Sequence, residues 1–162
     1  MQQIQTEFKK HIMNTNPKRI LIVDDSLKDV ELAKAAFADN KLLTEVVVAE
    51  DGVEAMDYLH KRGMFAHEIG NPDFIMLDIK MPKRNGIEVL KLIRSEPQLM
   101  YIPVIMVTSS REERDVVECY KWGANSYIVK PVDIGQFMNT IQILGQYWAT
   151  INQPPPVFTK CI

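Results

Sequence analysis

The chain reads as an α/β protein: five strands alternate with five helices, building one parallel sheet covered by helices on both faces. Three observations predict this. Short apolar runs rich in Val and Ile recur along the chain, each bounded by Asp, Pro or Gly. They are continuous rather than alternating, as expected for strands buried on both sides. Between them lie segments whose apolar residues step by three and four, the period of a helix. The strand-then-helix order repeats to the end, and parallel neighbours need such crossovers.

The elements follow in order. The first strand is read at 19–23, and Ser26 with Asp29 resembles a capping box opening a helix whose apolar face is Val30, Ala33 and Phe37. The second strand, 44–49, carries Val46, Val47 and Val48. Asp51 with Glu54 resembles another capping box, ahead of Val53, Met56, Tyr58 and Leu59. The third strand, 73–77, leads to a helix marked by Ile87, Leu90 and Ile93. Pro97 and Pro103 bracket the next loop, and the fourth strand is 103–108. Val116, Val117 and Tyr120 mark the fourth helix, with Gly123 just beyond it in a C′-like position. The fifth strand is 126–129, and Phe137, Ile141, Leu144 and Trp148 line the last helix.

The 162 residues, 46% apolar and 25% charged, favour one domain with a real core and leave little room for a second. No run approaches the ~20 apolar residues of a membrane span, and residues 1–16 have no signal-peptide core. Cys119 and Cys161 make neither a disulfide framework nor a zinc site, so the cytoplasm is the expected compartment. His11, His60 and His67 show no ligand spacing. A net charge of −2 argues against direct nucleic-acid binding.

Ligands of an open parallel sheet bind beyond the carboxyl ends of its strands. Those ends carry Asp24 and Asp25, Asp78, Thr108 with Ser109 and Ser110, and Lys130 with Pro131. Clustered carboxylates repel one another unless a cation is present. Mg²⁺, a hard ion that takes carboxylates, waters and phosphate oxygens, suits such a set. A carboxylate can also attack phosphorus and give an aspartyl-phosphate. An ammonium and a hydroxyl beside it would then stabilise the phosphoryl oxygens.

These residues resemble the receiver domain of two-component response regulators. The resemblance is carried by Asp24-Asp25, the run from Ile75 through Asp78 to Pro82 with Gly86, Val107-Thr108-Ser109, and Tyr127 to Pro131. It implies a flavodoxin-like (βα)5 fold with strand order 2-1-3-4-5. It implies Asp78 as phosphoacceptor, and Mg²⁺ held by Asp24, Asp25, Asp78 and the Lys80 backbone carbonyl. Thr108 would be the switch hydroxyl, Tyr127 the aromatic switch, and Lys130 the phosphoryl contact with a cis peptide to Pro131. The chain would catalyse only its own phosphorylation and dephosphorylation.

Within that family the chain is similar to small stand-alone regulators that partner bacterial phytochromes. The segment 109–115, Asn125-Ser126-Tyr127 and the ending Leu144 to Trp148 with Pro154–Pro156 carry this narrower likeness. It implies a sensor histidine kinase as partner, of phytochrome type on the narrower likeness. It also implies a homodimer through the fourth helix, fifth strand and fifth helix. Met138, Ile143, Tyr147 and Ile151, apolar residues beyond those the last helix needs for its core, fit a partner surface. The expected organisation is an extension at 1–17, the receiver at 18–149 and a tail at 150–162, with no attached output domain. The alternative is a phosphorylation-independent interaction module on the same scaffold. A hydrolase with an Asp nucleophile fits less well, because Lys80 stands where a general acid would be needed.

Overall fold

A computed structural model describes residues 17–40 and 42–155. Most of the expected N-terminal extension, the end of the tail, His11 and Cys161 lie outside the described residues. Five strands, β1 (Lys18–Val23), β2 (Thr44–Ala49), β3 (Phe74–Leu77), β4 (Val104–Thr108) and β5 (Ser126–Val129), form one parallel sheet in the order β2-β1-β3-β4-β5. Five α-helices follow them: α1 (Leu27–Asp39), α2 (Gly52–Leu59), α3 (Gly86–Ser95), α4 (Glu113–Lys121) and α5 (Ile134–Gln146). A short 3₁₀ turn, Gly63–Phe65, follows α2, and a π-helical turn, Tyr147–Ile151, extends α5. Among the described residues, no helix is long and apolar enough to cross a membrane.

Continuous apolar runs mark the central strands. Every residue of β3 and β4 is buried, as are the last four of β1, whereas the edge strands β2 and β5 are mostly half-buried. Strand side chains alternate between faces, so the sheet divides its apolar residues between two cores. Leu21, Val23, Ile75, Leu77, Val104 and Met106 pack with α2, α3 and Cys119 of α4. Ile20, Ile22, Phe74, Met76, Ile105 and Val107 pack with α1 and α5. Truncating a fully buried residue such as Ile141 to Ala would cost about 2–5 kcal/mol, because the surroundings close the gap only in part.

Three local expectations are corrected, and the orientation of one helix is added. Ser26 accepts the Asp29 N–H at 3.3 Å, but the Asp29 carboxylate turns away from the cap to another partner. Asp51 accepts the N–H groups of Val53 and Glu54, while Glu54 reaches back to the N–H of Glu50 instead of Asp51. The complete capping box lies at Asn85 and Glu88, where each side chain accepts the other's N–H. On α4, Val117 and Tyr120 face solvent and Cys119 faces the core, because this helix covers the sheet near its open β5 edge. Finally, Lys130–Pro131 is trans, the lower-energy isomer of an X-Pro bond. Gly123 does take the expected left-handed conformation, φ +86°, one residue past the α4 cap.

Candidate functional site

The sheet's hydrogen bonding runs past the ends of its strands. The Asp78 N–H donates to the Val23 carbonyl at 2.9 Å, and the Asp24 N–H to the Ala49 carbonyl at 3.1 Å. The Lys130 N–H donates to the Thr108 carbonyl at 2.7 Å. Backbone pairing therefore carries Asp24, Asp78, Thr108 and Lys130 to one edge of the sheet before any side chain interacts. Gly86 closes the loop after β3: its N–H donates to the Ile79 carbonyl at 2.8 Å. A Cβ there would stand 1.9 Å from the Asp78 carbonyl oxygen, so only glycine fits.

The Lys130 ammonium sits at the centre. It lies 2.7 Å from Asp24 Oδ2, 2.8 Å from Asp29 Oδ2 and 3.2 Å from Asp78 Oδ2. The other oxygen of Asp78 accepts the Ile79 N–H at 2.7 Å, and that of Asp24 accepts the Ser26 N–H at 2.9 Å. Asp25 completes the acid set at the exposed rim, and carboxylate oxygens of Asp24, Asp25 and Asp78 come within 4.8 Å of one another.

Burial pushes the Asp24 carboxyl above its usual range, and the nearby Asp78 charge adds to this; Lys130 and the Ser26 N–H oppose it. Burial alone would lower the Lys130 ammonium. Its hydrogen bonds to Asp24 and Asp29, and the charges of Asp24 and Asp78, outweigh burial and hold it above its ordinary range. A buried ammonium is costly unless fully paired, and this one is. Three carboxylates share it and Asp25 stands beside them, so the pocket keeps an excess of negative charge.

The neighbouring strand end holds the hydroxyls. Thr108 is fully buried, and its Oγ accepts the Ser110 N–H at 3.3 Å. Tyr127, half-buried on β5, donates its hydroxyl to the Ser110 carbonyl at 3.0 Å. Burial raises the Tyr127 hydroxyl above its usual range, against the Ser110 hydrogen bond. The Lys80 side chain is exposed beside the pocket. Cys119 is packed in the core, where burial pushes its thiol up to about 11, as suits an inert cysteine. His60 is engaged with Glu96 at 2.8 Å, away from any metal set.

Of the residues expected from sequence, Asp24, Asp25, Asp78 and Lys130 converge on one pocket. The Thr108 and Tyr127 side chains are instead linked to each other through Ser110. The structure adds two residues: Asp29, which local spacing makes half of a cap, and Asp115, whose carboxylate accepts the Ser110 hydroxyl. The partner of Asp29 lies 101 residues away, beyond the reach of local spacing, whereas Ser110 lies close to Asp115 across the turn that opens α4.

Comparison with known proteins agrees with this fold. The response regulator receiver domain family matches residues 20–142. The chain belongs to that family. It is 33% identical over 132 residues to response regulator Rcp1 of Synechocystis sp., covering 82% of this chain and 89% of that protein. The Mn²⁺-bound form of Rcp1 superposes with a TM-score of 0.81 at 31% identity, over 86% of this chain and 100% of that one. The phosphorylated cyanobacterial phytochrome response regulator RcpA gives a TM-score of 0.83 at 35% identity, over 87% and 100%. The bacteriophytochrome response regulator RtBRR is 51% identical with a TM-score of 0.68, over 90% and 88%. The receiver family's flavodoxin-like fold, with strand order 2-1-3-4-5, is the one described above.

Proposed function

We propose that this receiver accepts a phosphoryl group on Asp78 from a phosphohistidine of a sensor histidine kinase. One observation carries the reading: the Lys130 ammonium lies 3.2 Å from Asp78 Oδ2, inside the pocket that also gathers Asp24 and Asp25. An Asp78 oxygen attacks phosphorus, a P–O bond forms, and the P–N bond to the kinase histidine breaks. Lys130 stabilises charge on the phosphoryl oxygens, and Thr108 donates its hydroxyl to them. The Ile79 N–H holds the second Asp78 oxygen and orients the carboxylate. The chain catalyses only its own phosphorylation and dephosphorylation.

The acid set fits a hard divalent cation: the donors are oxygens, they are close together, and one ammonium leaves their charge uncompensated. Mg²⁺, held by Asp24, Asp25, Asp78 and the Lys80 backbone carbonyl, would supply the remaining positive charge at the phosphoryl oxygens.

The kinase is of phytochrome type on this reading, supported by the likeness to RcpA and RtBRR. Phosphorylation shifts an existing equilibrium between two forms of the α4-β5-α5 face. Thr108, Ser110 and Tyr127 connect the pocket to that face. A second copy of the chain is the partner there: Val117 and Tyr120 of α4 and Ile143 of α5, with Tyr147 just beyond it, stand exposed. Such a regulator works in the cytoplasm without contacting membrane or nucleic acid directly.

The test is incubation with Mg²⁺ and acetyl phosphate, followed by mass spectrometry of the intact protein. One phosphoryl group is expected on the wild type and none on Asp78→Asn. Equal labelling of Asp78→Asn would overturn the assignment.

A further inference from the structure

Among the described residues, Asp29 is the one partner of Lys130 that stands outside the acid cluster. An ammonium has three N–H donors, and Asp24, Asp29 and Asp78 take all three. Asp24 and Asp78 also belong to the group whose oxygens could hold a metal ion, and Asp29 does not. Two of the three lysine partners are thus shared with a cation site. A dication drawing on them weakens their hold on the ammonium and also repels it.

We propose that Asp29 is the positioning residue that keeps Lys130 in the pocket when a divalent cation occupies it. The proposal rests on the reading of the acid cluster as a cation site beside the phosphoacceptor Asp78. The backbone suits the role. Asp29 lies in the first turn of α1, where its N–H donates to the Ser26 hydroxyl at 3.3 Å, while the Ser26 N–H donates to Asp24 at 2.9 Å. One serine thereby sets the spacing between the shared carboxylate and the dedicated one. The Asp29 side chain is 26% exposed, against 9% for Asp24 and 8% for Asp78, so it is the least desolvated of the three lysine partners. With Asp24 and Asp29 each occupying one N–H, the third points at Asp78, where a phosphoryl oxygen would receive it.

An acid in a first helical turn also stabilises the helix through its dipole. The test therefore needs a readout that helix stabilisation does not move. Nitrogen-15 NMR of the lysine ammonium groups provides it, with the Lys130 signal assigned by its absence in Lys130→Arg. In the wild type a slowly exchanging Lys130 signal is expected to persist at saturating Mg²⁺. In Asp29→Asn it is expected to broaden beyond detection when Mg²⁺ is added, and Asp29→Glu, which keeps the charge, is expected to restore it. The initial rate of labelling by acetyl phosphate should fall about tenfold in Asp29→Asn, as for a misplaced charge-stabilising group. A Lys130 signal in Asp29→Asn that persists unchanged in Mg²⁺ would overturn the role of Asp29, whatever the labelling shows. Failure of the wild type to label at Asp78 would instead overturn the phosphoacceptor reading.

Discussion

The Ser110 hydroxyl donates to the Asp115 carboxylate at 2.6 Å. The same hydroxyl accepts the Glu112 N–H at 3.3 Å, at a helix start where Glu112 provides no side-chain cap of its own. Ser110 thus caps α4 from two residues before the usual position, and its carbonyl receives Tyr127. Ser110→Ala leaves a charged acceptor without its partner. It is expected to cost about 1–2 kcal/mol in urea titrations, more than the loss of one hydroxyl in Tyr127→Phe. Equal midpoints for Ser110→Ala and wild type would remove Ser110 from the capping role.

Gly86 connects stability to the site. Its missing Cβ is filled by the Asp78 carbonyl, at 1.9 Å from where that carbon would lie. Gly86→Ala must push the Asp78 backbone away, at about 1–3 kcal/mol for an overpacked position. The denaturation midpoint should fall, and acetyl phosphate labelling should fall with it although Asp78 is still present. Unchanged labelling would show that the Asp78 position tolerates the shift.

Asp51 gives a pH dependence whose sign can be worked out. Burial would raise its carboxyl, but the Glu54 N–H, the Lys83 ammonium at 3.0 Å and the Val53 N–H outweigh that and hold it below 3.8. A folded value below the unfolded one means stability that is present above the unfolded value. It is lost as pH falls through the folded one. Asp51→Ala should cost about 1 kcal/mol near neutrality, as for a lost helix cap. The difference from wild type should shrink as pH drops below 3.8. Thermal melts across that range check this; a gap that stays constant with pH would assign the cost to packing alone.

Self-association should depend on the exposed apolar residues of the last helix and its extension. Ile143 is 60% exposed and Tyr147 is 45% exposed, although both are large and apolar in body. A combined Ile143→Glu and Tyr147→Glu variant is expected to sediment as a monomer at concentrations where the wild type is a dimer. Its stability should change little, because surface substitutions usually stay within about 0.5 kcal/mol each. A wild type that sediments as a monomer with and without phosphorylation would remove the dimer from the proposed function.

Much of this protein is legible along the chain, for a physical reason. Strands buried on both faces must be apolar throughout, so 74–77 and 104–108 stand out from their neighbours without reference to anything distant. In a parallel sheet all strands end at the same edge, so Asp24, Asp78, Thr108 and Lys130 can be grouped from strand ends alone. The exposure of Val117 and Tyr120 on α4 is not legible in this way. Val117, Tyr120 and Cys119 all lie within one turn, and only packing against the sheet sends Cys119 inward and the other two outward.

Strand and helix order, the parallel sheet and the residues at its polar edge follow from local periodicity and strand ends, which any stretch of the chain displays without its distant partners. Tertiary structure alone decided how the charges are shared. Asp29 and Lys130 are 101 residues apart, and Ser110, past the end of β4, and Tyr127, inside β5, are 17 apart. Packing of α1 against the sheet brings Asp29 to Lys130, and the pairing of β4 with β5 lets the long Tyr127 side chain reach along the sheet to Ser110. Local spacing made Asp29 a cap; the fold made it a partner of the buried lysine.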